Sequence, residues 1–123
     1  MRILIPVLLI LALAQGTPAL AADVTGGWDF AVETGMGTAN PVFVFKQEGQ
    51  KLTGTYTGVF GEAILEGTVE ENQIRFVLKV KYEDADIVVT YSGAIDGDSM
   101  KGTVTFGDLG DATWTARRRK PPQ

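Results

Sequence analysis

This sequence predicts an all-β chain folded as an eight-stranded antiparallel up-and-down meander barrel, on three observations. Beyond residue 21 no window carries the 3.6-residue periodicity of an amphipathic helix; apolar and polar residues alternate in short runs between turn signals. Most of the connections between runs are short enough only for antiparallel hairpins. One unit also occurs twice: residues 42–69 align without a gap on 77–104 at a shift of 35 positions. The alignment places Thr55-Tyr56-Thr57-Gly58 on Thr90-Tyr91-Ser92-Gly93 and Gly67-Thr68-Val69 on Gly102-Thr103-Val104. Sequential hairpins make a meander, and closing the meander on itself removes the unpaired edges of a flat sheet. A β-sandwich is the alternative packing of the same strands.

Residues 1–21 read as a secretory signal peptide. Arg2 supplies the positive charge, Ile3 to Leu13 the apolar stretch, and Ala19-Leu20-Ala21 the small residues that a signal peptidase reads. A membrane anchor would need about 20 unbroken apolar residues, and Pro6, Gln15 and Pro18 interrupt this stretch. Export to a bacterial periplasm or the medium is therefore expected, with no membrane-spanning segment left after cleavage. The chain has no cysteine, so neither disulfides nor a lipid-modified cysteine are available and the core must hold the domain. One domain over residues 22–118 follows from its length, with 119–123 as a disordered basic, proline-ending tail.

Eight strands are expected in order: 27–34, 42–47, 51–59, 63–70, 74–82, 87–95, 100–106 and 112–118. Their phase comes from alternation. Ile74, Phe76, Leu78 and Val80 oppose Arg75, Lys79 and Lys81; Leu52 and Tyr56 oppose Thr53, Thr55 and Thr57. Strand 42–47 is apolar on both faces, but Val44 aligns with the outward Lys79 in the repeat, which turns Phe43 and Phe45 inward. All eleven aromatic residues then face the interior: Trp28, Phe30, Phe43, Phe45, Tyr56, Phe60, Phe76, Tyr82, Tyr91, Phe106 and Trp114. The outer face is threonine, lysine, glutamate and serine, which is the reverse of an outer-membrane barrel. Glycines 54, 58, 67, 93 and 102 also point inward. They serve either sharp coiling of the strands or space for a ligand, since an eight-stranded barrel is just wide enough to be filled by side chains or to hold one small molecule.

Composition narrows the chemistry. There is no histidine and no cysteine, so the commonest general base, metal ligand and nucleophile are missing together. The carboxylate pairs, Asp29/Glu33 and Asp96/Asp98 among them, fall on outward positions or in turns, without the shelter that acid–base work requires. No catalytic residue, metal site or cofactor is expected, and the protein is read as a non-enzyme. The net charge is −4, and the one basic run, Arg117 to Lys120, continues nowhere else as nucleic-acid binding would need.

Two ends of the chain carry a family likeness. Gly26-Gly27-Trp28 opens the first strand as G-x-W, and Ala112-Thr113-Trp114-Thr115-Ala116-Arg117 closes the last with an arginine. The pair resembles the calycin superfamily of lipocalin-like and avidin-like barrels, in which a first-strand tryptophan packs under a final-strand arginine. The resemblance thus implies a structural plug of Trp28 with Arg117. Thr25 to Trp28, Leu52-Thr53-Gly54-Thr55-Tyr56 and Thr113-Trp114 look most like the avidin branch. Biotin is not implied: Phe30 stands where that branch has asparagine and Gly58 where it has a hydroxyl residue, although Tyr56 matches a ligand-contacting tyrosine and Thr34 replaces a serine. The phrases LTGT and GD-x-M-x-G-T-V are also similar to those of short secreted bacterial modules. What the resemblance implies is a lipocalin-like binding protein for a small apolar or aromatic ligand at the open barrel end. The residues expected to hold it are Trp28, Phe43, Tyr56, Tyr91 and Trp114. Avidin-like barrels self-associate, so a homo-oligomer belongs to the same expectation. The competing expectation is a structural or protein-interaction module with a filled core.

Overall fold

The computed structural model describes residues 22–120, so the expected signal peptide lies outside the described residues. Nine strands follow in order: β1 (Gly26–Thr34), β2 (Gly37–Ala39), β3 (Val42–Glu48), β4 (Lys51–Gly58), β5 (Gly61–Glu70), β6 (Gln73–Tyr82), β7 (Ala85–Asp96), β8 (Ser99–Phe106) and β9 (Asp111–Arg118). Each pairs antiparallel with its neighbour in the sheet, and β1 pairs with β9, so the sheet closes. The expected meander barrel is what forms, and the sandwich alternative is not.

The extra strand is β2, inside the segment 35–41 expected to be a loop. β2 and β3 share one edge of β1: Val32 faces Ala39, and Trp28 faces Phe43. Between them Asn40-Pro41 interrupts the ladder, because proline has no N–H to donate. The gap is bridged by the Phe30 N–H donating to Pro41 O at 3.0 Å and by Asn40 Nδ2 donating to Phe30 O at 3.3 Å. β2 and β3 therefore act as one broken strand, and the barrel is eight-stranded in effect.

The predicted phase holds through the centre. Trp28, Phe30, Phe43, Phe45, Tyr56, Phe76, Tyr91 and Trp114 are all buried. Phe30 stacks on Trp114 with centroids 4.8 Å apart, and Phe76 on Tyr91 at 4.8 Å, while Phe43 meets Phe30 at 4.3 Å. Contacts of this kind hold about 0.5–1.5 kcal/mol each beyond the area they bury. Phe60 and Phe106 are only half-buried and Tyr82 is exposed, since all three sit at strand ends on one rim.

The inward glycines serve coiling more than space. A Cβ on Gly54, Gly67 or Gly102 would overlap a carbonyl oxygen of the neighbouring strand, that of Val44, Arg75 or Ser92. At Gly93 it would overlap the Lys101 carbonyl and come within 2.7 Å of Trp114 Cζ2. The neighbouring backbone, joined at Gly93 by the Trp114 indole, occupies the volume that side chains would have taken.

One end of the barrel is sealed. The Ala22 N–H donates to Glu71 O at 3.0 Å, the Val24 N–H to Gln47 Oε1 at 2.9 Å, and Trp28 Nε1 donates to Val24 O at 2.9 Å. Val24 is completely buried, so residues 22–25 lie across this end as a floor. The guanidinium over Trp28 belongs to Arg118, 4.7 Å from the ring centroid, not to Arg117 as the resemblance implied. Strand period explains the correction: Trp114, Ala116 and Arg118 share the inner face, and Arg117 is exposed on the outer one. Arg118 also donates to Asp98 Oδ1 (2.8 Å), Thr25 O (3.2 Å) and Asp23 O (3.0 Å). Arg119, expected in the tail, still extends the barrel by donating its N–H to Gly27 O at 2.8 Å.

Candidate functional site

The other end is open. The turns after β1, β4, β6 and β8 all lie there, and the strand ends beneath them enclose a pocket of about 400 Å³. That is within the range of small-molecule sites, roughly 300–1,000 Å³. Its walls are Val32, Ala39, Pro41, Val80, Ile87 and Ala112, with the rings of Tyr56, Phe60, Tyr82, Tyr91 and Phe106. Asp111 is the one ionisable group on the lining besides the tyrosines.

The wall residues come from the strands' inner faces, whereas the rim comes from the turns. Met36, Val59, Tyr82 and Leu109 stand at the mouth and are exposed, Met36 at 97 %. Exposed large apolar side chains are ordinary when scattered, and informative when they ring a cavity. The Leu109 turn is pinned: the Leu109 N–H donates to Phe106 O at 2.8 Å, the Phe106 N–H to Gly110 O at 2.9 Å, and the Gly107 N–H to Val88 O at 2.9 Å. Met36 is held by a small turn in which its N–H donates to Thr34 Oγ1 at 3.1 Å while that hydroxyl donates to Gly37 O at 2.8 Å.

Two hydroxyls mark the inner part of the pocket. Tyr56 Oη accepts the Phe60 N–H at 3.3 Å. Tyr91 is 3 % exposed, and its hydroxyl has no hydrogen-bond partner among the described residues. Burial pushes the Tyr91 hydroxyl well above the ordinary tyrosine range, and the neighbouring Tyr56 adds to the rise. Burial also raises Tyr56, opposed by the hydrogen bond from Phe60. Tyr91 lies on the pocket lining, where water or a polar atom of a bound molecule can partner its hydroxyl.

Of the five residues expected to bind a ligand, the structure places Tyr56 and Tyr91 on the pocket lining. Phe43 lies behind them, 5.4 Å from Tyr56 and 5.3 Å from Tyr91 by ring centroids. Trp114 packs 5.8 Å from Tyr91 and donates Nε1 to Thr103 O at 2.8 Å, and Trp28 is at the sealed end. The rim residues Phe60, Tyr82, Phe106, Met36 and Leu109 were missing from that expectation. Their shared signal is position: each lies in, or within one residue of, a connection that a meander must put at the same end.

Fold and site together define a closed antiparallel barrel, sealed at one end and carrying an apolar, tyrosine-marked pocket at the other. No protein-family model and no curated protein matches the chain. Among the described residues no helix is long and apolar enough to cross a membrane.

Proposed function

We propose that this is an exported, lipocalin-like binding protein that takes a small apolar or aromatic molecule into the open end of its barrel. The observation that carries the reading is the largely apolar pocket of about 400 Å³ at the open end, with Tyr56 and Tyr91 on its lining. A cavity of this size with a few polar atoms on apolar walls is the usual form of a small-molecule site, in which the hydroxyls orient the ligand. The calycin-like relationship belongs to the same proposal, and the Trp28–Arg118 pair at the sealed end supports it. No catalytic role is assigned: Asp29 pairs with Arg119 at 3.3 Å and Glu33 accepts from Thr38 Oγ1 at 2.8 Å, both on the exposed outer face.

The test is fluorescence titration with N-phenyl-1-naphthylamine, a neutral apolar probe, together with native mass spectrometry of protein purified from its source for a retained small molecule. Saturable binding is expected, lost in Ala112→Phe, whose ring fills the pocket. Binding that is absent in the parent, or unchanged in a folded A112F, overturns the proposal.

A second reading rests on the outer face. Val44 and Ile64 flank Thr55 in register and Val88 pairs with Lys79, and all three valine and isoleucine side chains are exposed. This patch suits a non-enzymatic interaction module or a homo-oligomer. Sedimentation of the parent against Ile64→Lys decides it: a dimer that this change dissociates supports it, and a monomer in both sinks it.

A further inference from the structure

From the charge around the mouth we infer that the ligand class is a cationic amphiphile: an apolar aromatic body carrying an ammonium or similar cation, in preference to a carboxylate. The inference rests on the pocket being a binding site and names what that site selects.

Two of the four turns at the open end carry acid, and further acids stand on the strand ends beside them. Glu62 follows the β4–β5 turn, Glu83 and Asp84 form the β6–β7 turn, Asp86 follows it, and Asp108 and Asp111 belong to the β8–β9 connection. The other two turns hold Met36 and Val59. Among the described residues the only cation adjoining these turns is Lys81, and it is bonded to Asp86 at 3.5 Å. The arginines lie elsewhere: Arg118 is at the sealed end over Trp28 and Arg119 pairs with Asp29. An anionic head group entering this mouth would meet Asp111 on the lining, with Glu83, Asp84 and Asp108 in the adjoining turns, and no free cation beside them; Glu62 and Asp86 stand on the outer face of the same rim.

The Glu83-Asp84 turn sharpens the point. Both residues are left-handed, with φ of 52° and 67°, in the two-residue turn between Tyr82 and Ala85. Asparagine and glycine adopt that geometry at the lowest cost. Two acids stand there instead, directly after Tyr82 in the chain.

Depth divides the ligand's chemistry. Tyr91 and Tyr56, both buried, mark the inner part, where a neutral polar atom suits the apolar walls. Nearer the mouth, Phe60 and Tyr82 meet edge to face at 6.1 Å, and Asp111 stands on the same lining across the barrel. Aromatic faces with carboxylates nearby are the surroundings in which a desolvated ammonium is held. A cation at the rim would be held either at these rings, where the Glu83-Asp84 turn follows Tyr82, or at Asp111 across the mouth, while its apolar body fills the pocket below.

The experiment is isothermal titration calorimetry of the protein with three probes that share one body: 2-naphthylmethylammonium, 2-naphthylmethanol and 2-naphthylacetate. At low salt the ammonium is expected to bind about tenfold more tightly than the acetate, with the gap shrinking to about twofold in 0.5 M salt as screening shortens the reach of the carboxylates. In Glu83→Gln/Asp84→Asn/Asp108→Asn the ratio of ammonium to alcohol affinity should fall. An acetate that equals or exceeds the ammonium, while the alcohol binds, overturns the charge preference and leaves the pocket reading standing. Failure of all three to bind overturns the pocket reading and this inference with it.

Discussion

Arg118 offers the sharpest mutational test of the sealed end. Its guanidinium lies 4.7 Å from the centroid of Trp28, donates to two backbone carbonyls of the floor segment and pairs with Asp98. Its side chain is 29 % exposed and that of Asp98 is 80 % exposed, so the ion pair is mostly solvated and contributes at most about 1 kcal/mol. The cation–π contact adds about 1 kcal/mol, and each hydrogen bond to the floor about 1 kcal/mol. Removing them together in Arg118→Ala should cost about 2–4 kcal/mol, less than a strict sum because one side chain makes all of them. For a domain of this size that lowers Tm by roughly 10–25 °C. Arg117→Ala, on the outer face of the same strand, should stay within about 0.5 kcal/mol. Arg118→Lys should fall between, keeping the charge but losing the planar fork that reaches Asp23, Thr25 and Asp98 together. Urea unfolding followed by tryptophan fluorescence measures all three. Equal losses from R117A and R118A would refute the assignment of the plug to Arg118.

Two further outcomes follow from buried groups and close backbones. Tyr91 has its folded pKa raised, so its contribution is complete below the unfolded value near 10 and is lost as pH rises above it. Between pH 9 and pH 12 the parent should lose about 2–3 kcal/mol more than Tyr91→Phe, by chemical unfolding at each pH; parallel curves would contradict the burial of that hydroxyl. Gly102→Ala should cost about 3 kcal/mol or more, because its Cβ meets the Ser92 carbonyl and the Gly93 Cα. Gly58→Ala should cost less, since the atoms nearest its Cβ belong to side chains, Tyr56 Oη at 2.5 Å and Cζ at 2.8 Å, and not to backbone. Equal destabilisation by the two would contradict the close approach of β7 and β8.

The barrel was legible because hairpin spacing and side-chain phase are local properties. Alternation placed Phe76, Tyr91 and Trp114 inward without knowledge of the closure, and the repeat did the same for Phe43. Height along the barrel was not legible. The 35-residue unit spans three strands, an odd number, so the second copy runs upside down relative to the first. β4 ascends towards the open end through Tyr56, and β7 descends from it through Tyr91. Equivalent tyrosines thus share a pocket without sharing a position, and equal weight for Trp28 and Tyr91 as ligand residues was a consequence of reading phase without height. The resemblance to a calycin plug misplaced the arginine because it followed the motif past the strand period that separates Arg117 from Trp114. The role of Gly67 and Gly102 was open between coiling and cavity until the neighbouring carbonyls were seen in the space.

The proposed function requires a ligand to enter the open end beside Tyr91. Two-dimensional amide NMR of labelled protein, titrated with 2-naphthylmethanol, reads this residue by residue. Saturable shifts should centre on Phe60, Tyr82, Tyr91, Phe106 and Leu109, leaving Val24, Leu52 and the outer-face Ile64 unmoved. No saturable shifts, or shifts centred on Val44, Ile64 and Val88, would contradict it.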